Sequence, residues 1–259
     1  MSKEEIFQLN TELTTHLLAN AEAVSNSLSQ TKFKKTSSAM LTYTTRVGYV
    51  NNAILDCYTN DNVYAVDILY RSMIEHSFRH LYLYTRALKD DSDEVGEEYY
   101  GKIKGSEDIE ALSKINNYTK IVYPDRTVLS LGGDHNAQIR KEGDKFKIQN
   151  IFFYVIKNFH SNEKMIQNGM KDYLLKRVHH YTHLSSYVHG GPCAEINHEE
   201  LLQNSEKMTQ HMEFIVCDAF RLYKSVIEST FLFAFIFDDK MKECFDKVSK
   251  IGSEIDESI

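Results

Sequence analysis

Leu9, Leu13, Leu17 and Ala21 recur every fourth residue, the spacing of one buried helical face, and predict a first helix from Ser2 to about Gln30. A second is expected from about Thr36 to Tyr58, although Thr42, Thr44, Thr45 and Gly48 weaken its intrinsic preference. A turn at 59–62 follows, and Asp61 or Asn62 can cap a third helix that runs to about Lys89. Apolar positions lie almost all round this third segment, which marks it as the central, buried helix.

The periodicity then fails. DDSDEVGEE opens an acidic, glycine-punctuated excursion from Asp90 to about Lys147. One short helix is expected there, Glu107 to Ile115, with two extended pieces, KIVY and RTVLSL, on either side of Pro124. Gly132 to His135 reads as a turn. Helical spacing resumes at Ile148 to Phe159 and again from Glu163 to about His189, where Gly-Gly-Pro breaks it. Asn204 or Ser205 can cap a long helix to about Phe237, and a short one follows from Asp239 to Lys250. The pattern predicts an all-α fold: one helical domain over residues 1–259, an irregular bundle of six to eight helices with a loop-rich insertion near its middle.

Composition narrows the function classes. With 42% hydrophobic and 26% charged residues and only two prolines, the chain has globular rather than disordered character. A formal charge of −7 leaves no general basic field for coating nucleic acid or an anionic membrane, though a local anion pocket remains open. Cys57, Cys193, Cys217 and Cys244 are widely spaced without C-x-x-C, which fits reduced thiols in a cytoplasmic protein. The charged N-terminus lacks the apolar core of a signal peptide. The strongest apolar run, Ser229 to Phe237, falls far short of the roughly 20 residues that span a bilayer, so no membrane partner is expected.

The unusual residues sort by the direction in which they point. On the helix ending at His189, the expected apolar stripe is Leu174, Val178, Leu184 and Val188, with Tyr181 and Ser185 inside it and His189 at its edge. His179 and His183 point away and His180 lies on a flank. His179 and His183 form an i, i+4 pair, but with no carboxylate or thiolate nearby in sequence they read as surface imidazoles, and no metal or cofactor is expected. The third helix carries Arg71 and Glu75 on the face that also bears Tyr64, Phe78 and Tyr82. An inward arginine needs compensation, which Glu75, Tyr181, Ser185 and His189 could supply. Such a cluster is either a register-fixing polar network or a small pocket in which Arg71 holds an anion and His189 exchanges protons.

Two motifs now stand in order: R-S-M-I-E, Arg71 to Glu75, and Y-T-H-L-S-S-Y-V-H-G, Tyr181 to Gly190. Together they resemble an uncharacterised bacterial helical domain family with an R-S-x-x-E helix and a later Y-x-x-L-S-x-x-x-H-G helix end. That resemblance implies that Arg71, Glu75, Tyr181, Ser185 and His189 form a shared cluster, and it supplies no activity. More loosely, Arg71 and His76 resemble the R-x4-6-H signature of HEPN ribonucleases, helical proteins often found as toxins or antiviral effectors. That likeness implies metal-independent RNA cleavage across a homodimer, with Arg71 on the phosphate and His76 as acid and base. On a straight helix Arg71 and His76 point about 140° apart, so a second subunit or a kink would have to unite them.

The expectation is therefore a HEPN-like, metal-independent ribonuclease acting in bacterial defence or as a toxin. Its rival is a non-catalytic sensor or interaction module with a buried anion-binding or purely structural pocket. RNA or a small anionic ligand is the expected partner, beside a second copy or another protein. The ferritin-like di-iron pattern, zinc-protease H-E-x-x-H, the P-loop and the nucleophile elbow are all missing, and Glu195 to His198, the one E-x-x-H, is placed at a loop edge.

Overall fold

A computed structural model describes residues 3–128, 134–160 and 170–252. Four long helices make the body: α1 (Lys3–Ser29), α2 (Lys34–Thr59), α3 (Val63–Asp90) and, later in the chain, α10 (Ser205–Phe237). Between them come α4 (Glu94–Glu98), a π-helical turn (Tyr99–Ile103), α5 (Lys104–Val122), α6 (Asp134–Gly143), α7 (Ile148–His160), α8 (Met170–His189) and α9 (Pro192–Leu202). The short α11 (Lys242–Lys250) follows α10. This all-α bundle has more than the expected six to eight helices among the described residues.

Helix α3 is central, as its all-round apolar pattern requires. It packs on α2, α10, α8, α7 and α4, and buries Val66, Tyr70, Met73, Ile74, Phe78 and Leu83. The hairpin from α2 turns through Asp61, whose φ of 53° is left-handed, and the Asn62 side chain accepts the Ala65 amide at 3.2 Å to start α3. At its other end α2 has no cap of its own. Asp93, almost sixty residues on, accepts the Lys35 and Thr36 amides, both at 2.8 Å. Gly96 makes this approach feasible: a Cβ there would meet the Thr36 amide nitrogen at 2.2 Å. The acidic segment that ended the periodicity is thus a remote cap that folds α4 back onto α2.

Two expectations are corrected here. The excursion at 90–147 is mainly helical. Lys120 to Val122 of KIVY end α5, no strand forms among the described residues, and 129–133 lie outside them. A lone short run of alternating residues has no partner strand to satisfy its backbone, whereas a helix satisfies its own. Glu195 to His198 also lie on a helix rather than at a loop edge. Gly190, at φ 61°, ends α8 and Pro192 starts α9 at its first turn, where a missing amide proton costs nothing. The expected start of α8 at Glu163 lies outside the described residues. No helix among the described residues is long and apolar enough to cross a membrane.

Candidate functional site

The α3 face that meets α8 carries Arg71 and Glu75, and the structure joins them to Tyr181 and Ser185. Arg71 donates from Nη2 to the Tyr181 hydroxyl at 2.7 Å, from Nε to Ser185 Oγ at 3.3 Å and from Nη1 to Glu75 Oε2 at 3.5 Å. Tyr181 in turn donates to Glu75 Oε2 at 3.3 Å, and burial followed by the Glu75 charge raises its phenol above the ordinary value. Three protein acceptors therefore hold one guanidinium. Ser185 also donates to the Tyr181 carbonyl, one helical turn back. The geometry is that of a closed polar lock between α3 and α8.

His189 stands apart from that lock. It is exposed at the end of α8 and takes no part in the Arg71 hydrogen bonds. Val188 is exposed too. The buried line along α8 runs instead through Leu174, Arg177, Tyr181, Leu184 and Tyr187. Helix α9 folds back beside the end of α8, with Asn197 hydrogen-bonded to His183 at 2.9 Å, so burial there shifts towards Tyr187. His179 and His183 are exposed, and no group of three metal-ligating side chains occurs among the described residues.

Arg177 completes the α8 interface. It pairs with Asp218 of α10, which also accepts from the Tyr70 hydroxyl, and all three side chains are buried. Tyr70 is held well above the ordinary phenol range, by burial and then by the Asp218 charge.

The other side of α3 is open. His76, five residues beyond Arg71, does not share the lock. It faces a pocket of about 350 Å3 lined by Tyr43 and Arg46 of α2, Glu75, His76 and Arg79 of α3, Tyr99, Tyr100 and Ile103 of the π turn, and Glu107 of α5. Here Glu75 is the link between the two faces. Its second oxygen accepts from Arg79 Nη2 at 3.0 Å and Nε at 3.3 Å, while Arg79 Nη1 donates to the Phe146 carbonyl at 3.1 Å.

Several polar groups in this pocket are not saturated. The buried Nδ1 of His76 has no hydrogen-bond partner among the described residues, and its Nε2 lies 3.5 Å from Ser72 Oγ. Burial lowers the imidazole below its ordinary value. The Glu75 charge opposes that shift, while Arg46 and Arg79 add to it, so His76 is neutral at pH 7. Arg46 is exposed, stands 5.5 Å from the Tyr43 ring and takes no ion pair among the described residues. Tyr43 is raised by burial, against the nearby Arg79 charge.

The far wall is built rather than incidental. Buried Glu98 accepts from Arg86 at 2.7 Å and Lys145 at 3.0 Å, which fixes the turn that begins at Tyr99. That turn is π-helical, a geometry often found at functional sites. Sequence reasoning named Glu75 and His76 but missed Arg46, Arg79 as a pocket group, Tyr43, Tyr99 and Tyr100. Arg46 and Tyr43 lie three apart on α2, which puts them on one face. The tyrosines of the π turn fit no helical or strand period.

No family model, no curated protein and no solved structure matches this chain, so the likeness to HEPN ribonucleases stands on Arg71 and His76 alone.

Proposed function

We propose that this protein is a binding module for a small anion, held in the pocket around His76. One observation carries the reading: two guanidiniums, one of them free of any acidic partner among the described residues, line an accessible cavity together with the half-buried imidazole of His76. Arg46 is exposed and lines the pocket without an ion pair among the described residues, and Arg79 is already oriented by Glu75 and the Phe146 carbonyl.

The test is titration of 15N-labelled protein with inorganic phosphate, followed by backbone amide shifts. Saturable shifts at residues 43–46, 76–79 and 99–103 are expected in the wild type, with at least ten-fold weaker binding in Arg46→Gln. Shifts that never saturate, or that survive unchanged in Arg46→Gln, would overturn the reading.

A second reading, metal-independent RNA cleavage, is favoured by the neutral state of His76 beside two guanidiniums. This combination supplies a base for a ribose hydroxyl and charge for a phosphate transition state. In it Arg46 and Arg79, not the locked Arg71, would face the phosphate. Cleavage assayed in excess EDTA should then be lost in His76→Ala and kept in His189→Ala. Cleavage that persists in a folded His76→Ala protein would remove this reading.

A further inference from the structure

The pocket contains more than an inorganic anion would use. Arg71 and Arg79 share the single charge of Glu75, which leaves one positive charge, and Arg46 adds a second. The Glu107 carboxylate, also in the lining, takes one of these back, so the site keeps one net positive charge, a balance that suits an anionic group carried on a larger neutral ligand. On the opposite wall Tyr99 and Tyr100 stand edge to face at 5.0 Å, and Tyr43 meets Tyr99 in the same manner at 5.6 Å. Tyr100 is 43% exposed, a hydrogen bond at 3.0 Å between its hydroxyl and Ser38 anchors the outer end of the ring, and the edge-to-face contact with Tyr99 packs against it. Exposed rings held in fixed planes offer stacking surfaces.

Glu107 completes the pattern. A carboxylate at the rim opposes a bare anion, but it accepts hydrogen bonds well from neighbouring hydroxyls on a neutral part of a ligand. The volume, about 350 Å3, is at the small end of the usual range for small-molecule sites, about 300 to 1,000 Å3, so it takes one compact ligand rather than a strand.

Resting on the anion-binding reading above, we infer that the ligand is a nucleoside monophosphate: phosphate against Arg46, Arg79 and His76, ribose hydroxyls towards Glu107, and base against the exposed face of Tyr100. Stacking on an aromatic side chain tolerates any base, so the site should accept purine and pyrimidine alike. The π turn is the specificity element, because its first two residues, Tyr99 and Tyr100, both line this cavity wall.

The experiment compares AMP, UMP, ribose 5-phosphate and inorganic phosphate by calorimetry on the full chain at pH 7, with Tyr100→Ala and Tyr100→Phe alongside. AMP and UMP should bind at least ten-fold tighter than ribose 5-phosphate. Tyr100→Ala should weaken AMP roughly five- to hundred-fold, the range expected for one lost stack, and Tyr100→Phe should restore most of it. Equal affinity for AMP, ribose 5-phosphate and phosphate would overturn the nucleotide inference while leaving the anion reading intact. Absence of binding by all four, phosphate included, would overturn both. Weaker AMP binding in Tyr100→Phe than in Tyr100→Ala would show that the hydroxyl, not the ring, is used, and would also overturn it.

Discussion

The two faces of α3 use the same residue types to opposite ends. Towards α8, Arg71 meets a tyrosine, a serine and a glutamate, and Arg177 meets Asp218. Every guanidinium there has a protein acceptor. Towards α2 and the π turn, Arg46 lies over the Tyr43 ring with no acidic partner among the described residues, and His76 keeps a buried nitrogen unpaired among them. Saturation separates a structural network from a receptive one, because native proteins leave few buried polar groups unpaired without a reason. Glu75 belongs to both faces, one oxygen to each, and so fixes the position of Arg79 through the same residue that closes the lock.

The comparison breaks most visibly at Asp218. Its side chain and that of Arg177 are 3% and 6% exposed, so Asp218→Ala strands a buried cation and removes the Tyr70 acceptor as well. Loss of one partner of a buried pair costs about 3 to 5 kcal/mol. Denaturant unfolding should show that loss directly. A folded Asp218→Ala protein within about 1 kcal/mol of wild type would mean that the α8 face is not a lock, since ordinary surface changes stay near that size.

Acid should weaken the fold through two histidines that lie one helical turn apart. His80 is fully buried, with Nε2 2.9 Å from Thr230 Oγ1 and Nδ1 3.4 Å from Ser229 Oγ, and burial pushes its imidazole down to about 3. Between the unfolded value, about 6.5, and that folded value the unfolded chain binds the extra proton. Stability present above pH 6.5 is therefore lost as pH falls, by about 1.4 kcal/mol per unit for His80, or about 2 kcal/mol at pH 5. His76 is shifted the same way and adds to the loss, within surroundings of Glu75, Arg46, Arg79, Tyr43 and Tyr99. Urea unfolding at pH 7 and pH 5 checks this. Equal stability at the two values, or an unchanged slope in His80→Gln, would contradict it.

A smaller effect is expected from Tyr181→Phe. It removes the hydroxyl that joins Arg71 at 2.7 Å to Glu75 at 3.3 Å and leaves the ring packed on Phe152. A net loss of about 1 kcal/mol follows from the lost hydrogen bonds. A gain in stability would show that the Arg71 network is strained rather than closed.

How far the sequence foretold this arrangement depended on whether a signal was local. The long helices were legible because an amphipathic period and a cap such as Asn62 or Asn204 lie within a few residues of each other. Arg71 and Glu75 were legible for the same reason, as were Tyr181 and Ser185 on their stripe. Helix α9 was masked by reading Gly-Gly-Pro as a stop rather than as a stop followed by a start. The pocket was hidden because α2, α3, the π turn and α5 contribute to it, and because its far wall depends on Asp93, Gly96 and Glu98 folding an acidic stretch back onto α2. No one-dimensional period records such a return. His189 was drawn into the cluster by its motif, while the packing of α9 turned the end of α8 away from it.

The smallest expected change in stability is at Arg46, and it sharpens the comparison most. Its guanidinium is exposed, lies over the Tyr43 ring, and makes no ion pair among the described residues, so Arg46→Gln should shift unfolding free energy by less than about 0.5 kcal/mol. A surface arginine beside a ring contributes little to folding in water, because its solvation is nearly as favourable in the unfolded chain. If the α2 face were another lock, the substitution would cost as much as Tyr181→Phe. Thermal melts of the two variants side by side decide it: a measurable drop in Tyr181→Phe with none in Arg46→Gln assigns the Arg71 network to the fold and leaves Arg46 for a ligand, whereas equal drops would make both faces structural.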